Sequence, residues 1–235
     1  MKIKTTCAAL LVAACAFSTP AMAQNISGVS GAKITDGQTD GEFRLGFEPR
    51  EDGDDDAIAG RFHVQHGISD RLRVRGVLFA RDRGDGLETN AAAVELHYQF
   101  TEDKDATQFG ARMGLRRGWN GTSDRLQLNM IGEHKIDADW SVRGNLLVDR
   151  RLDDGDKTPT FGARGRIKRG LGDVDLSLEA FAGAGRLTRR DDESLQLGPM
   201  LEFDLGRFGV SAGYLAGVHD APAHNFRLFI GTKFN

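Results

Sequence analysis

The sequence predicts an all-β protein: a single up-and-down antiparallel transmembrane barrel of about twelve strands, with ten as the alternative count. Three observations lead there. Twelve runs of eight to fourteen residues between Gly41 and Phe234 alternate apolar and polar side chains, the period of a pleated strand. Beyond residue 23 nothing approaches the roughly 18 consecutive apolar residues of a spanning helix, so a membrane crossing here needs a closed barrel. The first 23 residues, finally, read as an export signal.

That signal carries Lys2 and Lys4, an apolar stretch over 7–17, and Ala21-Met22-Ala23 before Gln24, the small-x-small form a signal peptidase cuts. A second reading takes Val12-Ala13-Ala14-Cys15 as a lipoprotein box with Cys15 acylated. Cys7 and Cys15 are the only cysteines, so cleavage after Ala23 removes every disulfide, zinc–thiolate site and cysteine nucleophile. The signal holds two of the 31 basic residues and none of the 34 acidic ones, leaving a mature formal charge of −5. Residues 24–40 are a separate polar segment, rich in Gly, Ser, Thr and Asp and without alternation. Three fates stay open for it: a disordered periplasmic tail, insertion into the barrel, or extension of the first strand from Ile34.

The barrel itself spans 41–235, with runs at 41–48, 58–66, 72–81, 89–100, 107–117, 125–134, 140–150, 160–168, 174–187, 195–205, 208–218 and 226–234. The connections measure 9, 5, 7, 6, 7, 5, 9, 5, 7, 2 and 7 residues, an alternation that fits short turns on one side and longer loops on the other. In the last run Phe226, Leu228, Ile230, Thr232 and Phe234 share one face, and Arg227, Phe229, Gly231 and Lys233 the other. Outward faces elsewhere read Phe43, Leu45, Phe47, then Ile58, Phe62, Val64, then Leu72, Val74, Leu78, and later Phe208, Val210, Ala212, Tyr214. Phe109, Trp140 and Phe208 begin upward strands while Phe100, Phe203 and Phe234 end downward ones, which predicts an aromatic girdle at one rim. A soluble sandwich shares the alternation but gives no reason for aromatics at one level. Pro199 breaks the pattern, because proline inside a paired strand loses a ladder hydrogen bond.

On these features, from export signal to terminal aromatic strand, the chain resembles the bacterial outer-membrane β-barrel proteins, over nearly all of 41–235. Size and strand count are similar to the small monomeric twelve-stranded porins, some of which pass acidic oligosaccharides through an Arg-lined lumen. Such a resemblance implies residence in the outer membrane of a Gram-negative bacterium, contact with its lipid and lipopolysaccharide, and insertion by the barrel-assembly machinery through the C-terminal strand. It is architectural and carries no substrate. Members typically end on the aromatic, whereas here Asn235 follows Phe234.

Charge placement goes further. The longer loops are acidic and the strands basic. Arg61, Arg73, Arg75, Arg112, Arg116, Arg143, Arg164, Arg166 and Lys168 fall on the inner face of strands two to eight; Asp175, Glu179, Glu202 and Asp204 fall on that of strands nine and ten. A transverse field favouring anions along the basic wall is expected, or else a salt-bridge ladder that fills the barrel. Arg117, Arg150 and Arg186 take the lipid-facing parity near strand tops, within reach of lipopolysaccharide phosphates.

Catalysis finds little support. Outward His66 and His134 lack a close outward Ser, and His219-Asp220 with Asp82 or Asp85 are explained by loop polarity. His63 and His97 read as lumen-wall residues. The acidic 51–56 stretch lacks the spacing of a helix-loop-helix calcium site, and no glycine loop cradles a phosphate, so no metal, cofactor or nucleic-acid partner is expected. The expected function is a passive channel for small hydrophilic solutes of unknown identity, mildly anion-favouring. A non-conducting structural or surface-interaction barrel is the alternative, and an outer-membrane hydrolase a lesser one.

Overall fold

The computed structural model describes residues 26–49, 56–82, 86–186 and 194–234. The export signal with Cys15, most of the acidic 51–56 stretch, Asp85 and Asn235 lie outside the described residues. Twelve strands are present: β1 (Thr39–Glu48), β2 (Ala57–Gly67), β3 (Leu72–Asp82), β4 (Leu87–Gln99), β5 (Thr107–Gly118), β6 (Arg125–Lys135), β7 (Trp140–Arg151), β8 (Thr160–Gly170), β9 (Val174–Gly185), β10 (Ser194–Leu205), β11 (Phe208–His219) and β12 (His224–Lys233). Each pairs antiparallel with its chain neighbour. The last returns to the first, from Asp40↔Lys233 to Phe47↔Phe226, and closes the barrel. Closure leaves no edge strand with unpaired backbone groups, the condition a sheet must meet in lipid. The strand count is twelve, not ten, and strand ends depart from the sequence expectation by two residues or fewer.

Connection lengths alternate less regularly than expected. Pairing continues through Arg81↔Glu88 and Asp82↔Leu87, leaving only 83–86 between β3 and β4 on the long-loop side. On the opposite side 100–106 forms a wider turn, in which Asp103 is engaged by Gln99 and Lys33. Gly206, with φ of 62°, permits the tight two-residue turn between β10 and β11.

The pleat sorts side chains into two unlike faces. Leu146 is 65% exposed on β7, whereas its neighbours Asn145 and Leu147 are 2% and 7% exposed. Outside stand Phe62, Leu78, Val94, Leu115, Leu178 and Phe226; the fully buried interior includes Gln99, Asn129, Asn145, Glu179, Gln196 and Asn225. A soluble sandwich buries the opposite set, and so continuous an apolar belt suits hydrocarbon rather than water. Pro199 is accommodated at a gap: it faces Leu178 on β9, while the ladder to β11 passes from Leu197↔Ala216 to Met200↔Gly213. Beside it Gly198 admits the Tyr214 carbonyl oxygen to 1.8 Å from where a Cβ would stand.

Candidate functional site

Strand parity, not loop geometry, builds the interior wall. Arg61 on β2, Arg73 and Arg75 on β3, Arg112 and Arg116 on β5, Arg143 on β7, and Arg164 and Arg166 on β8 all line the lumen cavities. Lys168 lies two residues below Arg166 and bonds to Asp175 across the β8–β9 pair. Arg44 of β1 and Arg227 of β12 complete the wall. Both lie outside the strands two to eight expected to carry the basic wall, although Arg227 stands on the inner face of the last run.

Acidic side chains are not segregated as expected. Glu95 of β4 sits among three arginines, with Arg75 at 3.1 Å, Arg61 at 3.5 Å and Arg112 at 3.6 Å. Glu133 meets Arg143 at 2.9 Å, and Glu42 contacts Arg44. On β9 and β10, Glu179 pairs with Arg227 at 2.7 Å and Arg166 at 3.8 Å, and Glu202 with Arg166 at 2.7 Å. Asp204 lies exposed near the rim. The transverse field is therefore corrected to local pairing: carboxylates of β1, β4, β6, β9 and β10 meet arginines of the same strand, of adjacent strands, or across the lumen as in Glu179–Arg227. Arg73, Arg116 and Arg164 form no ion pair within 4.0 Å among the described residues; Arg116 and Arg164 instead lie over Phe79 and Phe181.

Residues 26–38 occupy the lumen. Of the three fates open to this segment, it takes insertion into the barrel. From Ile26 it descends toward the rim where both termini of the barrel lie, turns at 36–37, and continues into β1. Arginines hold it by its backbone oxygens: Arg44 donates to Ile26 O (3.3 Å), Arg227 to Ser27 O (3.1 Å), Arg164 to Gly28 O (3.4 Å) and Arg73 to Lys33 O (2.8 Å). Arg112 donates to the Ser30 hydroxyl, Asn145 brackets the Ser30 backbone, and Gln99 accepts from Ile34 N. Ile26, Val29, Ala32 and Ile34 are buried. At the rim Gly37 donates to Gly67 O, Gly67 donates to Gln38 O, and Lys33 meets Asp103 at 2.9 Å. Beside this segment remains a cavity of about 270 Å³ lined by Arg44, Arg61, Arg75, Arg112 and Arg164; above it opens a vestibule of about 680 Å³. Sequence alternation could not find this arrangement, because recognition runs through the backbone of small residues. The spacing of Ile26, Val29 and Ala32 was the one available signal.

The remaining sites fall outside the lumen. Phe100, Phe109, Phe208 and Phe234 are exposed, and Trp140 and Phe203 half-exposed, all near one rim. Arg117 and Arg150 project outward. Arg186 does not: the register shift at Phe161/Gly162 turns it into the vestibule, where it meets Asp156 at 2.5 Å. His66 and His134 bond to Thr39 and Thr107, not to serines. His219 meets Asp220 at 3.7 Å, while Asp82 ends β3, four strands away around the barrel. His63 and His97 are buried wall residues.

The sequence matches no protein-family model and no curated protein. Solved structures do match. The KdgM porin aligns with a TM-score of 0.63 at 10% identity, over 83% of this chain and 99% of that one. The KdgM porin in complex with disordered oligogalacturonate gives 0.64 at 10% identity with the same coverage. Outer membrane protein Omp33 of Acinetobacter baumannii gives 0.53 at 7% identity, over 87% and 100%. The chain thus has the fold of the outer-membrane β-barrels.

Proposed function

We propose that the protein is an outer-membrane channel for small hydrophilic solutes with a mild preference for anions. The observation that carries this reading is the set of lumen arginines with no carboxylate within 4.0 Å among the described residues, Arg73, Arg116 and Arg164. Unneutralised cations in a narrow low-dielectric passage lower the barrier for anions and raise it for cations. Support of a weaker kind comes from the similar KdgM barrel, which was solved with oligogalacturonate. On the same reading the chain is exported with cleavage after Ala23, inserts through its C-terminal strand, and uses Arg117 and Arg150 on lipopolysaccharide phosphates; it has no catalytic role.

The test is a planar-bilayer recording of the purified protein in a potassium chloride gradient. A reversal potential displaced toward the chloride equilibrium value is expected. A second reading, a non-conducting structural barrel, is favoured by the occupied lumen. Absence of current under conditions where a known porin conducts would select it.

A further inference from the structure

The residues in the lumen have the chemistry of a stand-in. Five arginines, one each from β1, β3, β5, β8 and β12, donate to four carbonyl oxygens and the Ser30 hydroxyl, spaced along one extended chain from Ile26 to Lys33. Those oxygens are carbonyls and a serine hydroxyl, dipoles without charge. The stretch 26–34 contains no acidic residue, and its single charge, Lys33, is a cation turned to Asp103 at the rim. Arg44, Arg112 and Arg227 already meet Glu42, Glu95 and Glu179, but Arg73 and Arg164 meet carbonyl oxygens of the segment and no carboxylate within 4.0 Å among the described residues. A ligand that supplies the same acceptors as oxyanions adds the Coulomb term that the carbonyls lack, above all at Arg73 and Arg164, which grip the segment at two separate points.

We infer that residues 26–34 are an internal ligand of an extended oxyanion site, and that a multivalent oxyanion displaces them from the arginines. This rests on the reading of the lumen as an anion path, and it assigns the occupant that a solute must replace. The point of release is the rim. A Cβ on Gly67 would stand 2.0 Å from Thr35 O, a backbone atom that can yield only if the 35–37 turn moves.

The experiment is hydrogen exchange by mass spectrometry on the full protein in detergent, with tripolyphosphate as probe and sodium chloride at matched ionic strength as control. Saturating tripolyphosphate should speed exchange of 26–36 at least tenfold while β2 to β11 stay protected; spermine should not. The variant Gly67→Ala should show fast exchange of 26–36 without any probe. Unchanged or stronger protection of 26–36 in saturating tripolyphosphate overturns the proposal, even if Gly67→Ala fails to assemble. If the segment is released but no current flows in bilayers, the internal-ligand assignment stands and the channel reading alone fails.

Discussion

Arg227 of the last strand and Glu179 of the ninth meet at 2.7 Å with side chains 0% and 1% exposed, an ion pair deep in the barrel wall. Arg166 shares the same carboxylate at 3.8 Å, so Glu179 is the counter-charge for two guanidiniums. Replacing Glu179 by Ala strands Arg227, while Arg166 keeps Glu202 at 2.7 Å, and breaking a buried pair from one side costs about 3 to 5 kcal/mol. Urea unfolding followed by tryptophan fluorescence should show that loss. A loss under about 1 kcal/mol would indicate that water reaches the pair freely.

Replacing Arg73, Arg75, Arg112 and Arg164 together by Gln should move the reversal potential toward cations, because Gln keeps hydrogen-bonding capacity and removes charge. Arg73, Arg112 and Arg164 also hold the lumen segment, so conductance should rise in the same variant. Unchanged selectivity in a conducting variant would remove these residues from the solute path.

Phe229 and Phe234 lie five residues apart on opposite faces. Phe229 is 6% exposed, with Arg44 centred 4.5 Å and Arg227 5.6 Å from its ring; Phe234 is 61% exposed at the rim. Phe234→Ala should reduce the amount inserted with little change in the unfolding midpoint of what is inserted. Phe229→Ala should insert and then unfold more easily, by about 3 to 5 kcal/mol for a buried ring removed. Cell fractionation and urea titration separate the two effects.

Acid should loosen the rim. Partial burial works against ionisation of Asp103, but hydrogen bonds from Gln99 and Lys33 outweigh it and hold the carboxyl below its ordinary value of 3.8. A depressed folded-state value means the contact stabilises above pH 3.8 and is lost as pH falls through the lower folded value. Protection of 26–36 relative to the intrinsic amide exchange rate should therefore fall below that point, and Asp103→Asn should show the same loss of protection at neutral pH.

Much of this architecture was legible because a barrel strand declares itself through side chains. A residue such as Phe62 between Arg61 and His63 announces its face, and the inward parity of Arg61, Arg75 and Arg112 follows by counting. Pairing across strands was not legible: Glu95 and Glu179 acquire their partners from register, which alternation does not encode. Arg186 was misplaced because one bulge reverses parity. The lumen segment stayed undecided because Ser27, Gly28, Ser30 and Gly31 offer backbone to the arginines, and backbone leaves no trace in composition.

Arg44 and Arg227, which grip Ile26 and Ser27, belong to the two strands that join chain start to chain end. Asn225 also reaches Glu48 across that joint, at 2.9 Å. The segment that precedes β1 thus fastens, from inside, the seam where β12 pairs with β1. Seating the strip and closing the barrel therefore stabilise one another, since each holds the same two strands.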